Sequence, residues 1–169
     1  MVNMLNFLKK LFSTQKLNAA QAWQAASKDA GSAYWLYAAP VHLVLQRDSF
    51  SLAAPAPLAL ENNEVDGLTS LLNKHFSLDG MQFFWHEHTW FLRLEHHPQI
   101  ETYALELAEN KDISAFVPKG AGAMAWAKFQ NEVQMLLFEH PINQAREAKQ
   151  LSVINSIWCY GGGQIEQIK

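Results

Sequence analysis

With 169 residues, 49 % of them hydrophobic and 17 % charged, the chain has the composition of one globular domain rather than a disordered segment. Its formal net charge of −3 gives no expectation of wholesale binding to a nucleic-acid backbone, which needs a positive stripe to release counterions, and leaves room only for a local basic site. The single cysteine, Cys159, excludes an intramolecular disulfide framework and fits a reducing, cytoplasmic setting, and no apolar run approaches the roughly 20 residues that span a bilayer.

The chain opens with MVNMLNFLKKLFSTQKL. Met4, Leu5, Leu8, Leu11 and Phe12 fall on one helical face, with Lys9, Lys10 and Lys16 elsewhere, so an amphipathic helix is expected. Such a helix docks on its own domain, drives self-association or contacts a protein partner, or lies on an anionic membrane surface. No small-residue cleavage site follows cleanly, so a secretory signal is not expected. Asn18 is placed to cap a second helix through AAQAWQAASKDA, with Gly31 to end it, and residues 1–31 read together as an N-terminal helical segment.

Residues 32–169 read as a single α+β domain. YWLYAAPVHLVLQ and SFSLAA look extended, with Arg47 and Asp48 at the turn of a hairpin; Pro40 marks an edge, a bend or a split into two strands. A helix capped by Asn62 or Asn63 buries Val65, Leu68, Leu71, Leu72 and Phe76. MQFFWH and TWFLRLE form a second hairpin turning at Glu87 and His88, and the segment 96–120 holds one short strand or helix. The longest helix, 123–139, places Trp126, Phe129, Val133, Leu136, Leu137 and His140 on one face, and Pro141 stops it. A short helix restarts near Asn143, SIWCY is a last strand, and GGG releases the chain. The expected architecture is a mixed, mostly antiparallel sheet from two hairpins plus a C-terminal strand, packed with helices.

Several residues carry potential chemistry. His86 and His88 share a face of a strand, which is compatible with a divalent metal, but a metal site needs three or four converging ligands and none is evident; a solvated hairpin tip is the simpler reading. His42 reads as a packed or edge histidine, and Cys159 as a small core residue rather than a nucleophile. Glu132, Glu139 and His140 place carboxylates near an imidazole, yet helical glutamates are usually just solvated. The stretch HPINQAREAKQLSVINSIWCYGGG is richer: Asn143 and Arg146 lie one helical turn apart, Asn155 precedes the last strand, and Gly161, Gly162 and Gly163 follow it. An arginine fork, amides for orientation and glycine N–H groups are the parts of a phosphate or other anion pocket. The same residues also fit a helix cap, a surface ion pair of Arg146 with Glu147 or Glu139, and a frayed end.

The stretch 131–163, NEVQMLLFEHPINQAREAKQLSVINSIWCYGGG, closely resembles the C-terminal signature of the proteobacterial RpfE-like (regulation of pathogenicity factors) proteins. APVHLVLQRD, LLNKHFSLDGMQFFW and TWFLRLE look like further pieces of that family. The H-P-[VI]-N-x-x-R…N…G-x-G pattern is also similar, more distantly, to a segment of archaeal-type cofactor-independent phosphoglycerate mutases, where it belongs to a substrate-contacting lobe beside a metal domain. The resemblance implies that Asn143, Arg146, Asn155, Gly161, Gly162 and Gly163, with His140, contact a small phosphorylated metabolite. The metal and nucleophile set of such a mutase has no counterpart in this sequence, and the chain is too short to hold both lobes. The resemblance therefore implies a non-catalytic regulatory or binding domain with no resident cofactor. A metal-dependent phosphoglycerate mutase and a purely structural or self-associating protein are the alternatives.

Overall fold

The computed structural model describes residues 16–166, so the helix expected over the first sixteen residues lies almost wholly outside the described residues. Among the described residues five α-helices and six strands follow one another: α1 (Ala19–Ala25), β1 (Tyr34–Val41), β2 (Leu43–Leu45), β3 (Phe50–Leu52), α2 (Asn62–Phe76), β4 (Met81–His86), β5 (Thr89–Leu94), α3 (Leu105–Ala108), α4 (Ala123–Leu137), α5 (Pro141–Ala148) and β6 (Ser156–Gly163). Short 3-10 turns lie at Ser77–Asp79 and Ile113–Ala115.

The α+β class holds. Four strands form an antiparallel sheet in the order β4-β5-β1-β6, and β2 and β3 make a separate two-stranded ribbon. Period-2 alternation sorts the side chains to the two faces. Leu36, Ala38, Trp90, Leu92, Ile157 and Cys159 join one cluster with Leu68, Leu72 and Phe76 of α2 and Trp126, Phe129, Val133 and Leu137 of α4. Burying each such Leu or Phe is worth about 1.5–3 kcal/mol, so these two helices are the principal lid of the sheet. On the other face, α1 packs Ala19, Ala20 and Trp23 against Trp35, Tyr37 and Phe91, and the rings of Trp23 and Trp35 stack at 4.9 Å. The β2–β3 ribbon and α3 cover the far end of that face through Leu43, Leu52, Leu105 and Ala108, against Val41 and Trp158. Coverage on both faces explains why β1 is almost continuously apolar.

Several element boundaries differ from expectation. Helix α1 stops at Ala25 rather than Gly31, because Ser27 turns to φ +61 and its N–H closes a tight turn onto the Gln24 carbonyl. Strand β1 runs through Pro40 and breaks at His42. The missing N–H of Pro40 is tolerated because β5 has its last β1 partner at Ala38, and the Pro40 carbonyl accepts instead from Leu58 N–H. Helix α2 is capped by Glu61 in a reciprocal box with Glu64, not by Asn62 or Asn63. Helix α5 is capped by His140, whose Nδ1 accepts from Ile142 N–H at 3.2 Å, with Pro141 in the first turn where its absent N–H costs nothing. The three glycines do not release the chain: they continue β6, and Gly163 pairs with Trp35 after a bulge.

Candidate functional site

The C-terminal signature is brought together, and its polar atoms are engaged within the chain. Asn143 is 6 % exposed; its Nδ2 donates to Leu137 O at 2.9 Å and Ile154 O at 2.8 Å, and its Oδ1 accepts from Ile154 N–H at 2.8 Å. Arg146 is equally buried: Nε donates to Ser152 O at 2.7 Å, and Nη1 reaches both oxygens of Glu64 at 2.8 and 3.0 Å. Asn155 acts as a surrogate strand residue. Its side chain accepts from Leu43 N–H at 2.7 Å and donates to Leu43 O at 2.8 Å, while its own N–H bonds Val41 O. The three side chains thus converge on the segment 152–155 and fix it between α4, α5 and β2.

The ion pair is part of a longer seam between α5 and α2. Glu61 meets Lys149 at 3.8 Å, Glu64 meets Arg146, and Gly67 sits so close to Ile142 that a Cβ there would lie 2.9 Å from Ile142 Cδ1. The arginine's partner is therefore Glu64, 82 positions away, rather than Glu147 or Glu139. Spacing within the helix shows only that Arg146 has a face; the long-range partner has to come from the fold.

Gly161–163 meet side chains rather than open space. Gly161 has φ +64, and a Cβ on it would lie 2.6 Å from Tyr37 Cδ2; Cβ atoms on Gly162 and Gly163 would press on the Tyr34 hydroxyl and the Asn18 amide. The histidines are spread out. His86 is half-buried with its ring edge-on to Trp23 at 6.2 Å, His88 is exposed in the hairpin turn, and His42 Nδ1 lies 2.9 Å from Val153 O. Glu132 pairs with His75 at 3.1 Å, not with His140. No group of three or more His, Cys, Asp or Glu side chains is arranged to hold a metal ion among the described residues.

The principal cavity lies elsewhere, along β6 at the edge of the sheet. It measures about 370 Å³ and is bounded by Ser156, Ile157, Trp158 and Cys159, by the face of α4 from Ala123 to Gln134, and by Leu43, Phe50 and the segment 113–118. Exposed Phe50, Val117 and Asn131 stand among its walls. No lining residue carries a formal charge. Burial pushes the Cys159 thiol far above its ordinary range, so it stays protonated. Gln130 braces the wall by donating from Nε2 to Ile157 O at 3.0 Å.

One wall residue stands out. Trp126 is 4 % exposed, and its Nε1–H is the one buried side-chain polar atom among the described residues with no hydrogen-bond partner. By contrast, the indole N–H groups of Trp35, Trp90 and Trp158 each reach an acceptor at 2.8–3.0 Å. Buried donors are almost always paired, so this one is an exception that calls for a reason. In the sequence Trp126 belongs to an ordinary buried stripe. The available signal was its flank, where Ala123, Ala127, Gln130, Asn131 and Gln134 give α4 a small, uncharged polar face at helical spacing.

A comparable fold occurs within a larger solved protein. The described architecture matches a solved cofactor-independent phosphoglycerate mutase from Thermoplasma acidophilum DSM 1728, with a TM-score of 0.57 and 14 % sequence identity. The match covers 81 % of this chain and 38 % of the mutase, so the chain spans well under half the length of that enzyme. No protein-family model and no curated protein matches the chain. The relation to the mutase is distant and is one of fold.

Proposed function

We propose that this protein is a non-catalytic binding domain on a fold shared with part of a phosphoglycerate mutase, and that its ligand sits in the cavity beside β6. The observation that carries the reading is the cavity itself. Its volume falls within the roughly 300–1,000 Å³ of small-molecule sites, its walls are largely apolar, and it has a few polar groups for orientation. The walls contain no carboxylate, imidazole or ammonium group to move a proton, and the one thiol is held neutral by burial. Such walls bind and orient; they do not supply acid–base chemistry. The resemblance of the C-terminal signature to RpfE-like regulatory proteins agrees with a binding role.

A phosphorylated metabolite at Asn143, Arg146 and Asn155 is the second reading, favoured by the mutase likeness. It requires Glu64 to release the guanidinium and the two amides to leave their backbone partners. The deciding experiment is a thermal-shift screen of the full chain against neutral fragments and phosphorylated metabolites, with binding mapped by NMR. Neutral hits should perturb Trp126, Gln130 and Ile157, and a ligand at 100 times its Kd should add about 2.7 kcal/mol of stability. Hits confined to phosphates and abolished by Arg146→Lys would establish the second reading. Interconversion of 2- and 3-phosphoglycerate in the presence of Mn²⁺ or Zn²⁺ would make the protein an enzyme and end the first.

A further inference from the structure

The first described residues are anchored a short way from the cavity, and the segment that precedes them suits its walls. Lys16 is held by Glu106 of α3 at 3.2 Å and lies over the Tyr160 ring, 5.1 Å from its centroid. Leu17 is tied down as well, its carbonyl accepting from the Tyr37 hydroxyl at 2.8 Å. From Glu106 the fold leads to the cavity mouth. Glu109, three residues on, bridges Leu52 of β3, and Phe50 of the cavity wall stands two residues before Leu52. Those steps keep the Cα atoms of Glu106 and Phe50 within about 17 Å of each other. Exposed apolar side chains mark both ends of the route, Leu107 beside Glu106 and Phe50 with Val117 at the mouth.

Residues 1–15 carry the apolar stripe Met4, Leu5, Leu8, Leu11 and Phe12, the two cations Lys9 and Lys10, and no carboxylate. The route to the mouth carries Glu106, Glu109 and Asp112 against one cation, Lys111, and the cavity walls hold no charge. An apolar face for the mouth and a positive face for its acidic approach are complementary to the surface beside Lys16. Reach is not limiting. The chain from Lys16 back to Phe12 extends to about 14 Å, and a helix from Met4 to Phe12 adds about 12 Å.

We infer that the Met4–Phe12 stripe docks in the mouth of this cavity as a tethered plug, which a small-molecule ligand displaces. This rests on the cavity being the ligand site and adds its regulation. A segment on a short linker acts at a millimolar effective concentration, so modest apolar contacts suffice to fill the mouth. Ligand affinity is then reduced by the fraction of chains whose mouth is open, and changes in the segment alter affinity without touching the walls.

The test uses the full chain and N-phenyl-1-naphthylamine, an uncharged fluorescent probe. Leu8→Ser combined with Leu11→Ser weakens the stripe and leaves the cavity walls intact. It should raise probe affinity about tenfold, which corresponds to a mouth closed in about nine chains of ten. A second measurement keeps the stripe whole. Asn6→Cys carries a nitroxide label, while Cys159, buried and protonated, stays unlabelled. The nitroxide should broaden the amide resonances of Phe50, Val117 and Ala127 at the cavity, and saturating probe should restore them.

Equal probe affinity with and without the Leu8 and Leu11 substitutions, or an unbroadened mouth, overturns the plug and leaves the cavity as a binding site. Broadening that appears on a ¹⁵N-labelled chain mixed with nitroxide-labelled chains lacking ¹⁵N places the segment on a second copy and overturns the intramolecular assignment. Absence of probe binding to either chain overturns the cavity reading itself, and displacement with it.

Discussion

Arg146 shows how one residue type supports two opposed readings. An arginine one turn after an asparagine looks like an anion receptor, but here the anion is the Glu64 carboxylate of the same chain. Both side chains are under 10 % exposed, so removing either leaves a buried charge without its partner. Breaking a buried pair from one side costs about 3–5 kcal/mol, whereas replacing both by apolar groups of similar volume is often neutral. Arg146→Ala should therefore lower the unfolding free energy by about that amount in urea titrations, and Glu64→Leu combined with Arg146→Met should recover most of it. A loss under about 1 kcal/mol for Arg146→Ala would mean that the guanidinium is not committed to Glu64. The arginine was legible in the sequence, but its partner was not. Nothing in the sequence singles out Glu64 at the start of a helix, and only the seam of α5 on α2 buries it.

At the scale of elements, helices were read best where periodicity is long. The stripes of α2 and α4 are strong enough to identify both the elements and their buried faces, and the second hairpin turns at the expected Glu87 and His88, both at positive φ. Boundaries set by distant contacts were not legible. Glycines after SIWCY look like a chain end, yet they are strand residues because the Tyr34 and Tyr37 rings occupy the space where side chains would stand. Asn155 has the same character: nothing local says that its amide pairs with Leu43 as a strand backbone would. It ties the β2–β3 ribbon, which is hydrogen-bonded as its own sheet, to the C-terminal strand. Asn155→Ala leaves both Leu43 groups without that partner and should cost about 1–3 kcal/mol. Hydrogen exchange should show the Leu43 amide losing protection before the amides at the centre of β1. Uniform loss of protection across the sheet would mean that the ribbon is not an independently opening unit.

Among the described residues the four-stranded sheet is covered on both faces, and a cavity remains beside its edge strand β6, between α4 and the β2–β3 ribbon. A domain selected only for stability would close such a gap, since natural interiors pack to the density of organic crystals. An unfilled cavity is what a retained binding site produces, because proteins tolerate local instability where function requires it. The trade-off can be measured by filling the space from α4. Ala127 stands at the exposed side of the wall, within α4, where leucine keeps a high helix propensity. Ala127→Leu should raise stability by about 0.5–2 kcal/mol, within the range of cavity-filling substitutions, while weakening the neutral fragment probe that binds the cavity by at least about tenfold. The two effects must have opposite signs. A variant that is destabilised yet binds the probe as before would show that the wall beside Ala127 is already close-packed and that the ligand lies elsewhere. A variant that is stabilised with binding intact would show that the gap is only a packing defect.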